Sequence, residues 1–181
     1  MNGPVKLLKH PVHPMLVVFP LGLLGTAVIF DLIAQFTGNL GLYGVSYWMI
    51  AAGIVGGLLA AIFGFMDWMG ISSNTRAKKI GGYHGLGNLT VVVLFALSWW
   101  IRSNNPDQVP GGLAFTLSLL GFLLALVTGW LGGELVYRMG MAVEKGANEN
   151  APNSLTTGEL TDHSQSQSSG RKKQTGGRSG D

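Results

Sequence analysis

Four long stretches of this chain run almost without charge: residues 16–36, 47–66, 86–101 and 113–131. A helix rises about 1.5 Å per residue, so about 20 residues cross a hydrocarbon layer of about 30 Å. The third stretch is the shortest and reaches spanning length when it begins at His84. A soluble bundle would need a polar face repeating every three to four residues on each helix. Val91-Val92-Val93-Leu94-Phe95-Ala96-Leu97 and Gly121-Phe122-Leu123-Leu124-Ala125-Leu126-Val127 are apolar all round and leave no such face. The pattern predicts an all-α polytopic membrane protein, a bundle of four transmembrane helices whose immediate partner is the lipid bilayer. The expected helices cover residues 14–36, 47–69, 84–101 and 113–137, within one domain at 1–145.

Lys6 and Lys9 precede the first apolar stretch, as they would in a secretory signal peptide. That stretch is long for such a segment, and Thr26-Ala27-Val28-Ile29-Phe30-Asp31 offers no small-x-small cleavage site, so the first helix is expected to stay. The composition changes after Glu144. Residues 146–181 have no aromatic side chain and are dominated by Gly, Ser, Asn, Thr and Gln. Such a segment buries too little apolar surface to offset the entropy of ordering, so a disordered C-terminal tail is expected, with His163 unstructured in it.

Charge fixes an expected orientation. Of the 12 Lys and Arg residues, every one except Arg102 falls on the side of the topology that holds both termini. Positive residues in short loops stay cytoplasmic. Both termini are therefore expected in the cytoplasm, with the protein a multi-pass component of the plasma (inner) membrane. The net charge of +3 does not indicate nucleic acid, because the basic residues flank apolar spans or lie in the tail. Arg171-Lys172-Lys173 could touch anionic lipid. Trp48, Trp99 and Trp100 at one edge, with Trp68, Tyr83 and Tyr137 at the other, form the aromatic belts of a membrane protein. The absence of cysteine excludes disulfides, thiolate metal sites, iron–sulfur clusters and covalent c-type haem.

Small residues recur on two helices at i, i+4 spacing: Ala52, Gly56, Ala60 and Gly64, then Gly121, Ala125, Gly129 and Gly133. They predict close approach of the second and fourth helices, or of each to a different neighbour. Pro20 is expected to free a carbonyl and kink the first helix.

Candidate chemistry lies at one end of the bundle. His13 opens the first span and His84 the third, while Asp67 closes the second and Glu134 the fourth. Crossing in sequence brings all four to one side. The spacings from histidine to carboxylate, 54 and 50 residues, suggest a weakly repeated hairpin. Three accounts of this layer stay open. In one, the carboxylates pair with Arg76, Arg138 or a histidine, and the histidines bond to carbonyls. In the second, His13 and His84 are axial ligands of a b-type haem between helices 1 and 3, its propionates held by Arg76, Lys78, Lys79 or Arg138. In the third, His13, Asp67, His84 and Glu134 bind one metal ion, although no local signature such as His-Glu-x-x-His supports it. Asp31 is about 27 Å of helical rise from His13 and is expected to pack against Asn or Ser groups of the other edge. Asn88, Thr90 and Thr128 are expected to make interhelical hydrogen bonds.

No phosphate loop, dinucleotide fingerprint or nucleophile elbow is present, so no catalytic residue can be named. The segment His10-Pro11-Val12-His13-Pro14-Met15-Leu16-Val17-Val18-Phe19-Pro20 is followed by Asp31, Asp67, His84 and the ending Gly132-Gly133-Glu134-Leu135-Val136-Tyr137. Over residues 6–142 this resembles the bacterial membrane family called domain of unknown function 2231. The resemblance implies four membrane helices and no settled activity. Some relatives are joined to cytochrome or Rieske-type modules, which implies a redox setting and favours haem. Three classes follow: a haem b electron-transfer component with redox partners, a metal-binding or metal-moving protein, and a cofactor-free subunit beside other membrane subunits.

Overall fold

The computed structural model describes residues 5–144, 146–151 and 153–154. It divides into two compact units, Met1–Met141 and Ala142–Asp181. The second consists, where described, of short turns such as the one closed by Asn150 N–H on the Asn148 side chain. Most of the expected tail, including His163 and the Arg171–Lys173 cluster, lies outside the described residues.

The first unit is the helical domain. A two-residue hairpin pairs β1 (Lys6–Leu7) with β2 (His10–Pro11) and turns through Leu8 and Lys9, both at positive φ. It leads into α1 (Val12–Thr37), which ends at Gly38 in the left-handed conformation. Then come α2 (Gly41–Met69), α3 (Arg76–Ser103) and α4 (Gly112–Gly133), the last continued by a π-helical turn at Glu134–Arg138. All four helices are long and apolar enough to cross a membrane.

Two boundaries differ from the expected ones in ways that move chemistry. The second helix begins at Gly41 rather than residue 47, because the Asn39 side chain accepts the Gly41 N–H and starts it early. The third begins at Arg76, where the Thr75 hydroxyl caps the helix by accepting the Lys78 N–H. His84 therefore sits two turns inside α3 instead of opening it. His13, by contrast, is the second residue of α1.

The helices form a ring in which α1 packs on α2, α2 on α3, α3 on α4, and α4 more loosely on α1. The diagonal pairs are thus α1 with α3 and α2 with α4. This corrects the expected close approach of the second and fourth helices. Each small-residue stripe instead receives its own hairpin partner. A Cβ at Gly53 would lie 2.6 Å from Leu24, one at Gly56 would lie 2.7 Å from Phe19, and one at Gly121 would lie 2.9 Å from Phe95. Pro20 is buried against this face, its Cδ 3.4 Å from where a Gly56 Cβ would be.

The buried positions repeat between the hairpins. Moving 71 residues on from Pro20, Leu24, Ala27 and Asp31 gives Val91, Phe95, Ser98 and Arg102, all buried. Moving 68 residues on from Ser46, Ile50, Gly53 and Ala60 gives Ala114, Ser118, Gly121 and Thr128, again all buried. The burial pattern of the first helical hairpin is thus used again in the second. Most equivalent residues differ in identity, so the repeat lives in burial.

Candidate functional site

The two histidines meet across the diagonal. His13 on α1 and His84 on α3 have ring centres 6.3 Å apart and nearly perpendicular planes. They are the equivalent residues of the two hairpins, 71 positions apart. Each is held the same way. The Nδ1–H of His13 donates to the Ala60 carbonyl on α2 (2.9 Å), and that of His84 to the Thr128 carbonyl on α4 (2.8 Å). Ala60 and Thr128 are themselves equivalent positions. A carbonyl only accepts, so both Nδ1 atoms carry a proton; in a neutral ring the lone pair then lies on Nε2.

Glycine makes this reach possible. A Cβ at Gly64 would lie 2.8 Å from the His13 ring, and one at Gly132 would lie 3.0 Å from the His84 ring. These two glycines are again 68 residues apart. The symmetry stops at the second nitrogen. His84 Nε2 accepts from the Asn88 amide (3.1 Å), while Asn88 Oδ1 accepts the Thr128 hydroxyl (2.8 Å). For His13 Nε2 no hydrogen-bond partner is seen among the described residues.

The carboxylates expected beside the histidines have other partners. Asp67 accepts the Val5 N–H at 2.8 Å, so the N-terminal hairpin closes over the end of α2. Glu134 pairs with Arg76 at 3.0 Å, tying the π-helical end of α4 to the start of α3. No group of three or more His, Asp or Glu side chains is gathered for a metal ion among the described residues. Histidines bonded to carbonyls, and Glu134 paired with Arg76, match the first account of this layer. Asp67 on a backbone N–H matches none of the three.

At the other end, Asp31 does not pack on loop Asn or Ser groups as expected. It forms a two-pronged ion pair with Arg102, Nη1 to Oδ1 at 3.0 Å and Nη2 to Oδ2 at 2.6 Å, and both side chains are fully buried. The remaining donors of Arg102 go to Ser98 (3.2 Å), Ser46 (3.2 Å) and Ser118 (3.0 Å). Ser98 also donates to or accepts from Ser118 at 2.7 Å. All four helices contribute. Asp31 and Arg102 are the charged residues that the long helices themselves carry at this edge, and their opposite signs on equivalent helices are the sequence signal of the pair.

A model of the family described as "Predicted membrane protein (DUF2231)" matches residues 9–145. The chain belongs to this family. The matched span of this DUF2231 protein contains all four helices, both histidines and the buried ion pair. Neither a curated protein nor a solved structure matches the chain.

Proposed function

We propose that this membrane protein is an electron-transfer component that binds a b-type haem through His13 and His84. The observation that carries the reading is the matched pair of imidazoles that meet between α1 and α3. Each is fixed by an Nδ1–H bond to a helix carbonyl, the arrangement that orients a ligating histidine and leaves Nε2 for the metal. The rings stand 6.3 Å apart.

The number of gathered ligands favours haem over a bare ion. A zinc-like ion needs three or four protein ligands, and Asp67 and Glu134 are engaged elsewhere. A haem would need only two protein ligands, which His13 and His84 would supply, and when bound the group would provide a one-electron carrier. The protein's part would be to hold the imidazoles, exclude water from the bundle and supply charge for the propionates from Arg138. Ligation at His84 Nε2 requires the Asn88 amide to let go.

The orientation belongs to the same reading: both termini cytoplasmic, in the inner membrane, with redox proteins as partners. A visible absorption spectrum of the purified full chain tests it. A Soret band that is lost or shifted in both His13→Ala and His84→Ala is the expected result. A colourless protein with stoichiometric metal would support the metal class, and a colourless metal-free protein a structural subunit. A band unchanged in both variants would mean the ligands lie elsewhere.

A further inference from the structure

A groove of about 420 Å³ opens on the outer surface where α2 ends and α3 begins, lined by Trp68, Lys78, Lys79, Gly82, Tyr83 and Leu86. Its lining follows one stripe of α3, since Lys79, Gly82, Tyr83 and Leu86 recur at three- and four-residue intervals. Gly82 leaves the floor open: a Cβ there would approach the Trp68 Nε1 only to 3.7 Å. Tyr83 and Leu86 form exposed apolar walls.

The Trp68 wall is rigidly held. Its indole N–H donates to the Lys78 carbonyl at 3.0 Å, and the Lys78 ammonium donates back to the Trp68 carbonyl at 2.7 Å. The same ammonium lies 3.8 Å from the centre of the Trp68 ring. Lys78 is therefore spent on building the wall. Lys79 is exposed, and no partner for its ammonium is seen among the described residues.

The groove is graded along the helix axis. Charge stands at the Lys79 end, and about 10 Å further along α3 the lining is the hydrocarbon of Leu86. A bilayer is graded in the same sense from headgroup to acyl chain. We propose that this groove holds a single anionic phospholipid, its phosphate on Lys79 and its chain lying over Gly82 between Trp68 and Leu86. Basic, aromatic-walled clefts at the ends of membrane helices are suited to such headgroups. The proposal is independent of the histidine pair, which faces the inside of the bundle.

The test uses the full chain in phosphatidylcholine bilayers containing lipid with brominated chains, which quench nearby tryptophan. The Trp68 signal is taken as the difference between the protein and its Trp68→Phe variant. Brominated phosphatidylglycerol should quench it at about one-fifth the mole fraction that brominated phosphatidylcholine needs, the ratio one interfacial lysine provides. Lys79→Gln should remove most of that preference. Gly82→Leu should fill the groove and weaken quenching by both lipids. Soluble glycerol phosphate should not compete. Equal quenching by the two lipids, a preference kept in Lys79→Gln, or competition by glycerol phosphate would each overturn the assignment. Melting temperatures of the variants in detergent separate loss of the lipid from loss of the fold.

Discussion

Asp31 and Arg102 hold the same place in their respective hairpins, 71 residues apart, and each is the other's ion-pair partner across the bundle diagonal. A duplicated hairpin would put identical residues face to face on its axis. At the His13–His84 end it does so, because two imidazoles can each give a ring N–H to a helix carbonyl of a neighbouring helix. Two carboxylates or two guanidiniums could not. Opposite charges on the equivalent helices turn a repulsion into a two-pronged ion pair between them. The serines follow the guanidinium: Ser98, Ser46 and Ser118 serve Arg102, while their equivalents Ala27, Ala114 and Ile50 make no such bonds.

Breaking this pair one side at a time should be far worse than removing it. Asp31→Leu leaves a buried guanidinium without its counter-ion, and Arg102→Met leaves a buried carboxylate. Each should destabilise the protein by about 3–5 kcal/mol. The double variant should recover most of that loss, since apolar replacement of a whole buried pair is often close to neutral. Thermal denaturation in detergent of the four proteins measures the coupling. Additive losses would mean that the two side chains do not act as a pair.

The glycines separate into those that admit a neighbour and those that do not. At Gly121 a Cβ would meet Phe95 at 2.9 Å, whereas at Gly129 nothing lies within 4 Å. Gly121→Ala should therefore lower stability by about 1–3 kcal/mol through overpacking. Gly129→Ala should be neutral or raise it by up to about 1 kcal/mol, through helix propensity. Both positions belong to the same small-residue stripe, so equal effects would refute the packing described for α4.

That contrast shows how far the sequence could be read. Apolar length alone reveals four helices able to span a bilayer, since residues 113–131 leave no polar face for water. Spacing also marks Gly121 and Gly129 as one stripe, but spacing cannot say which neighbour fills it. The start of α3 depended on Thr75, a single hydroxyl in a polar loop, and its capping shifted His84 from a helix end to the interior. The meeting of His13 with His84 was legible from their common position in each hairpin. The engagement of Asp67 was not, because its partner is the Val5 backbone N–H, delivered by a hairpin whose turn residues Leu8 and Lys9 carry no turn signature.

Asn88 offers a way to see whether His84 Nε2 is used. Without a ligand, Asn88→Leu removes the bonds to His84 and Thr128. The haem-free protein should then lose about 1 kcal/mol, the usual worth of an interhelical hydrogen bond in a membrane. A haem held by His84 would take Nε2 in place of the amide, so the same variant in the haem-loaded form should keep its Soret band and much of its stability. Denaturation of the haem-free and haem-loaded forms, each with and without the substitution, gives the comparison. An equal loss in both forms would mean that Asn88 keeps its bond to His84, and that haem binds without this nitrogen.

The buried ion pair also bears on orientation. Arg102 is the one basic residue at the far end, and counted as a loop charge it weighs against cytoplasmic termini. Its guanidinium is fully buried and neutralised by Asp31, so it presents no positive charge to either aqueous side. The charges that remain near the spans, Lys6, Lys9, Arg76, Lys78, Lys79 and Arg138, all stand at the end that carries the N-terminal hairpin and the α2–α3 connection. Positive residues are retained in the cytoplasm. A cysteine introduced at Asn39, between α1 and α2, should therefore react in intact cells with a reagent that does not cross membranes. One introduced at Ser73, between α2 and α3, should react only after the cells are opened. The native chain has no cysteine, so the label reports the engineered site alone. Labelling at Ser73 from outside, with Asn39 protected, would invert the topology.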